Sequence, residues 1–482
     1  MDAMDFMDSG GRSDVARVSA PRTLVLVILL CLLAGVAGAV QDSAHVQTVH
    51  NVHIVHPAAP EEDLEWLRLE AAGHSLRVPC LRTSPLHTPN PALKRGIVVI
   101  HGSGRNAHIA MANLLLGAKA AGVAERCLVV APRFIEEPDL KRMGEPADVP
   151  FWRGGWREGD LSKSTVAHPR PVRLSCFTVV DLLLEAMDDK ELFPNLRDIV
   201  VVGHSAGGQF VNRYAAGNRT EPRLEASVRY VVANPSSYVY FDDRRRVEGS
   251  TVQFAAPSVS KRIMCPCFDM YKYGLSWLNA YMTETGKERI PRQYAARKVW
   301  YLLGSDDNDP QGNGVDRFCP AMWQGVHRLE RGMVYYNYLL RYFGCGIAAG
   351  HRFRFVPGVA HSSRGIYTSP QGVVAVFDAF PTGLPPTIDC CEELRALEET
   401  EATLRLRAAD PEDAGISWRA LGLWAGATFQ DQGDGTAVFA WTPPAGAADA
   451  SPYCTTFLAS DGALSASVTV AITVTPAPRT RS

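Results

Sequence analysis

The sequence lacks any charge imbalance: 49 Lys and Arg stand against 51 Asp and Glu, for a formal net charge of -2. Without a basic excess there is no electrostatic footprint for nucleic acid, and without an acidic excess no case for a solvated, disordered chain. No CxxC pair occurs among the 11 cysteines. That absence argues against the competing readings of these cysteines, a zinc site or a Cys nucleophile. The glycine-rich stretch around Gly102 does not fit G-x-x-x-x-G-K-[ST], so it is not a P-loop. Long apolar runs are absent outside one place, Leu24 to Leu33.

That run follows Arg12, Arg17 and Arg22 and precedes Ala37-Gly38-Ala39. Basic residues, an apolar stretch and a small-residue site describe a secretory signal, residues 1–39, cleaved after Ala39. The alternative is an uncleaved transmembrane anchor over residues 23–40, nearly long enough to span a bilayer. In both cases the rest of the chain is exported, as a secreted or cell-surface protein. With Cys31 inside the run, disulfides are expected among the remaining cysteines, and Cys265, Cys267, Cys390 and Cys391 are candidates. Asn218-Arg219-Thr220 is a glycosylation sequon if the source is eukaryotic. His45, His50, His53 and His56 read as a solvated tail.

With 482 residues and a hydrophobic share of 46%, the chain can build two or three cores. Short apolar strands alternate with helical patterns from about residue 60 to 380. GIVVI (96–100), CLVVA (127–131), DIVVV (198–202), RYVVA (229–233), VWYLL (299–303) and 352–356 are strands. Helices are expected over 107–121, 177–187, 207–216, 322–342 and 372–380. Continuous rather than alternating apolar strands mean a parallel sheet covered on both faces, an α/β class. Insertions at 133–172 and 235–297 carry many aromatics and suit a lid or binding loops. After a breaker cluster, Pro381 to Pro386, the text turns β-like, with Asp434-Gly435 as a hairpin signal. The expected units are therefore 1–39, 40–390 and 400–477.

Gly203-His204-Ser205-Ala206-Gly207 is a G-x-S-x-G motif between an apolar strand and a helix. Small flanking residues let the turn close in a strained conformation that lifts the serine oxygen clear of the sheet. With His101-Gly102 after an earlier strand, an acid after a late strand and a histidine near the end, residues 60–380 resemble the α/β-hydrolase family. The order Ser…Asp…His matches that family.

A serine hydroxyl needs an imidazole to take its proton. His327, His351 and His361 follow the elbow, and His361 is preferred because it lies on a loop at the strand's C-terminal edge. The resemblance implies an acid three residues after Gly304, which selects Asp307; Asp306 and Asp309 remain rivals. It also implies oxyanion donors from the backbone N–H groups of Ala206 and Ser103. His204, Trp152, Trp156 and Tyr238 are candidate substrate contacts. The resemblance requires no cofactor and implies a serine esterase acting on a small or polymeric carboxylic ester, with a serine peptidase as the runner-up. A non-catalytic surface or adhesion protein is the third alternative.

Residues 400–477 resemble the Ig- or cadherin-like modules of secreted bacterial proteins. The matching text is Ala408-Ala409-Asp410-Pro411-Glu412-Asp413, Gly435-Thr436 with Phe439-Ala440-Trp441-Thr442-Pro443, and Ala459-Ser460-Asp461-Gly462. The resemblance implies a small β-sandwich that binds a surface, polymer or protein. Calcium at Asp410, Asp413 or Asp461 is an open possibility.

Overall fold

The computed structural model describes residues 51–55, 65–380 and 383–477. Its centre is a nine-stranded sheet in the order β1-β2-β3-β5-β4-β6-β7-β10-β11. The strands are β1 (Val52–Val55), β2 (Trp66–Ala71), β3 (His74–Arg82), β4 (Arg95–Ile100), β5 (Cys127–Pro132), β6 (Asp198–His204), β7 (Ser227–Ala233), β10 (Lys298–Gly304) and β11 (His351–Val356). A two-stranded ribbon, β8 (Arg245–Arg246) with β9 (Phe254–Ala255), lies within the second insertion. The first three strands pair antiparallel, as does β3 with β5; every pairing from β5 through β11 is parallel.

The apolar runs explain the layers. Val98, Ile100, Val201, Val232 and Leu303 face one side of the sheet, and Ile97, Val99, Val200, Val231 and Leu302 face the other. Helices α2 (Cys176–Met187), α3 (Ala206–Gly217) and α4 (Arg328–Phe343) cover the first side. Helices α1 (Ala107–Ala120) and α5 (Pro370–Phe377) cover the second. Each fully buried Val, Leu or Ile here contributes about 1.5–3 kcal/mol relative to exposure. Because the strands are parallel, the loops after β4, β6, β7, β10 and β11 all open on one edge, where such sheets place their sites.

The C-terminal unit is all β. Its sheets run β12-β14-β17-β16 and β13-β19-β18-β15. The strands are β12 (Thr387–Asp389), β13 (Glu393–Leu397), β14 (Ala402–Ala409), β15 (Ser417–Leu421), β16 (Thr428–Asp431), β17 (Thr436–Trp441), β18 (Tyr453–Ser460) and β19 (Ser465–Thr475). Leu404, Leu406, Trp418, Phe439, Trp441, Phe457, Val470 and Ile472 fill its core. The unit is fastened to the α/β part by the Cys345–Cys454 disulfide and by hydrogen bonds from Arg354 to Ser467 (2.7 Å) and from Gln371 to the Ala463 carbonyl (2.7 Å). Leu421 and Leu458 pack into the larger core. It is therefore docked rather than tethered.

Several expectations change. The transmembrane reading is corrected: among the described residues no helix is long and apolar enough to cross a membrane. Residues 23–40, the signal segment and the histidine tail up to His50 lie outside the described residues, as does His56. The β unit starts at Thr387, ahead of the expected boundary at 400, because β12 and β13 each pair into one of its sheets. The helix expected over 322–342 is broken before Arg328. Gln324 hydrogen-bonds both the N–H (2.8 Å) and the carbonyl (2.9 Å) of Tyr238, which holds that stretch out of helical form. Cys390 and Cys391 form no disulfide; Cys265 instead bonds Cys319. The sequon amide of Asn218 is fully buried and donates to the Tyr230 hydroxyl (2.9 Å), so it is closed to a glycan in the folded chain.

Candidate active site

The elbow is built as its sequence demands. Ser205, between β6 and α3, has φ 61° and ψ -120°. A non-glycine residue held there costs about 1–3 kcal/mol, which the surrounding structure must overcome. Its N–H donates to the Ala233 carbonyl on β7 (2.9 Å) and its carbonyl accepts from Gln209 N–H (3.0 Å). The flanking glycines are needed for close approach. A Cβ on Gly203 would meet the Gly207 carbonyl at 2.3 Å, and one on Gly207 would meet the Ile100 carbonyl at 2.3 Å. The second contact packs the elbow against the end of β4, so Ser205, Ala206 and the loop carrying Ser103 share one corner. Ala206 is the first residue of α3, where helix geometry leaves the N–H without an intrahelical acceptor.

The structure brings His361 and Asp307 together. His361 Nδ1 lies 2.7 Å from Asp307 Oδ2, so Nδ1 is the protonated nitrogen and Nε2 is left as the acceptor. Asp307 also accepts from Asn234 Nδ2 on Oδ2 (2.6 Å) and from Arg328 on Oδ1 (3.2 Å). Burial by itself would raise this carboxyl. The hydrogen bond and charge of His361, then Arg328 and Asn234, outweigh it and hold Asp307 below its usual value. His204 bridges the pair to the elbow: its ring centroid is 4.5 Å from that of His361. Burial, followed by the His361 charge, lowers His204 to about 3, so it is neutral at neutral pH. Among the described residues Ser205 Oγ makes no hydrogen bond, and free sites of this kind often close only on substrate.

The competing residues are engaged elsewhere. His351 is buried between the Tyr301 hydroxyl and the Tyr294 carbonyl (2.9 Å each). His327 caps α4 rather than lying within it, accepting from Glu330 N–H (3.2 Å). Asp306 and Asp309 are exposed and take part in local turns through Ser305 and Gln311 N–H. Trp152, Trp156 and Tyr238, expected as substrate contacts, pack into the interior. All three are fully buried, Trp156 against His101 (4.5 Å) and Tyr238 stacked on Tyr335 (4.3 Å).

Two further residues hold Asp307 in place. Asn234, at φ 44°, donates to Asp307 and accepts from Gly304 N–H on Oδ1 (3.0 Å), tying the ends of β7 and β10. Arg328, 1% exposed, sits in the first turn of α4 and also donates to the Asn313 carbonyl. A polar Asn after a buried strand was a visible signal; a buried arginine opening an amphipathic helix was not.

No protein-family model matches the chain, and no curated protein matches it. Among solved structures, poly(aspartic acid) hydrolase-1 from Sphingomonas sp. KT-1 is similar at 24% identity over 61% of this chain and 91% of that one, with a TM-score of 0.39. The SrpA adhesin of Streptococcus sanguinis matches 19% of this chain and 58% of its own at 15% identity and a TM-score of 0.18. Titin domain M7 matches 19% of this chain and 94% of its own at 12% identity and a TM-score of 0.16. These likenesses are too distant to carry an activity across.

Proposed function

We propose that the chain is an exported serine hydrolase of the α/β-hydrolase type that cleaves carboxylic esters through an acyl-enzyme on Ser205. The observation that carries the reading is the His361–Asp307 hydrogen bond on the edge where Ser205 stands in a strained turn. In this mechanism Ser205 Oγ attacks the carbonyl carbon while His361 Nε2 takes its proton. Asp307 keeps the imidazole in the needed tautomer and stabilises its charged form. The N–H groups of Ala206 and Ser103 hold the oxyanion. The alcohol leaves with the proton from His361. Water then attacks the acyl-enzyme, giving its proton to His361, and Ser205 is regained as the acid departs. The Cys265–Cys319 and Cys345–Cys454 disulfides support an oxidising compartment. The C-terminal unit is read as an Ig-like accessory module.

The test is fluorophosphonate labelling of wild type against Ser205→Ala, followed by paired p-nitrophenyl ester and aminoacyl nitroanilide assays. Labelling lost in the variant and ester turnover in the wild type are the expected results. Turnover of the anilide alone makes the protein a peptidase, and unchanged labelling of Ser205→Ala removes the nucleophile.

A further inference from the structure

The loop after β4 is braced far more heavily than its exposed position requires. Gly102 C=O accepts from Arg105 N–H (3.0 Å), closing a tight turn. Behind it, buried His101 receives the Phe134 N–H on Nε2 (3.0 Å). A backbone N–H can only donate, so Nε2 is bare and Nδ1 carries the proton. Nδ1 lies 2.9 Å from Gly102 O and donates to it. Burial, the leading cause, lowers His101 to about 4, which keeps this neutral tautomer in place at neutral pH. With the Gly102 carbonyl held by these donors, the trans peptide turns the Ser103 N–H to the opposite side. No acceptor among the described residues takes that N–H.

A second brace reaches the same loop from the first insertion. Asp139, 1% exposed, accepts from Arg105 Nε (2.5 Å), from Arg133 (3.0 Å) and from Arg142 (2.5 Å). Arg105 in turn donates to the Ser103 carbonyl (3.1 Å), and its own carbonyl accepts from Arg133 Nε (2.9 Å). One buried carboxylate thus gathers guanidinium groups from the loop, from the end of β5 and from the short helix Glu137–Arg142.

We propose that His101, acting through Nδ1–H on the Gly102 carbonyl, and Asp139, acting through Arg105 on the Ser103 carbonyl, are positioning residues that fix the peptides on either side of Ser103 so that its amide faces the oxyanion before substrate arrives. This rests on Ser205 as nucleophile. It assigns the first insertion a role in transition-state stabilisation beyond any covering of the site.

The test measures kcat, KM and the Ki of an aryl trifluoromethyl ketone, whose serine adduct places an oxyanion in the same position. Asp139→Asn keeps the shape and removes the charge. The expected result is a fall in kcat per titrated active site of about 10–100-fold, short of the loss of a whole oxyanion donor, with Ki rising in step and KM nearly unchanged. A merely structural role lowers the active fraction and leaves Ki alone, and that outcome overturns the proposal. Should Asp139→Asn not fold, the His101 pair decides. In His101→Asn the amide N–H stands where Nδ1 stood, whereas His101→Gln restores only the acceptor for Phe134. Ki closer to wild type in His101→Asn supports the proposal, and equal losses overturn it. Ser205→Ala separates the two levels. If it is inactive while Asp139→Asn is unaffected, only the positioning role fails; if it turns over normally, the nucleophile fails with it.

Discussion

Two regions of the α/β unit each hold a carboxylate back from bulk water, and they treat it in opposite ways. At the loop edge Asp307 is met by an imidazole, a guanidinium and an amide, and is held below its usual value. On the helix-covered face Asp181 of α2 is met by the hydroxyls of Tyr214 and Tyr281 (2.8 Å each), beside a cavity of about 470 Å³. There burial dominates, and the carboxyl is pushed up to about 6. Desolvation is common to both sites; the charge of the partners decides the protonation state. A cavity by itself thus does not make the better functional candidate. Ser205, Asp307 and His361 do not line it, whereas the edge holds a charged acid against a base with one free nitrogen.

The sharpest break of this comparison is Ser205→Ala, for which kcat is expected to fall by about 10⁶-fold, since the triad acts as one unit. Activity within tenfold of wild type in a burst-phase ester assay would refute the edge as a catalytic site. Asp307→Asn comes next. The amide keeps the shape but can donate to His361 Nδ1 and so favours the wrong tautomer, and a loss of about 10⁴-fold in kcat is expected. If Asp307→Asn and Asp181→Asn lower kcat alike, the two carboxylates are not functionally distinct.

Asn234→Ala is expected to have a smaller effect on two readouts at once. It strips Asp307 of one donor and leaves the buried Gly304 N–H unpaired, which costs about 1–3 kcal/mol of stability in a denaturant melt. It should also lower kcat, by less than Asp307→Asn does. A stability loss without any kcat change would reduce Asn234 to a strand tie.

Much of this edge was legible because its signals are local. Buried parallel strands leave continuous apolar runs, and an elbow that admits no Cβ at Gly203 or Gly207 leaves its glycines in the text. Ser205 directly follows β6, and Asp307 and His361 lie on the loops that leave β10 and β11 at the same edge. What was not legible depends on partners far apart in sequence. Arg328 is set on Asp307 by the docking of α4, and Cys345 meets Cys454 across the contact between the α/β part and the β unit. Trp152 and Trp156 are a different case. Aromatics in an insertion suggest a ligand face, yet here they fill the space beneath the loop after β4, against Phe134 and His101.

The mildest test addresses the other carboxylate and has a definite sign. Asp181 has a folded value near 6, above the roughly 3.9 of an unfolded Asp. Folding therefore favours its protonated form. The cost of burying the charge is absent below about pH 4, grows as pH rises, and is complete above about pH 6. Asp181→Asn replaces the acid with a neutral group whose oxygen can still accept from a tyrosine. It should raise Tm at pH 8 relative to wild type, with little or no gain at pH 4. The opposite slope, a larger gain at pH 4, would mean that the ionised carboxylate is stabilised where it lies, with Arg219 acting on it as Arg328 acts on Asp307. The contrast between the two regions would then be one of degree, and the protonation state of a buried acid would no longer separate the edge from the helix-covered face.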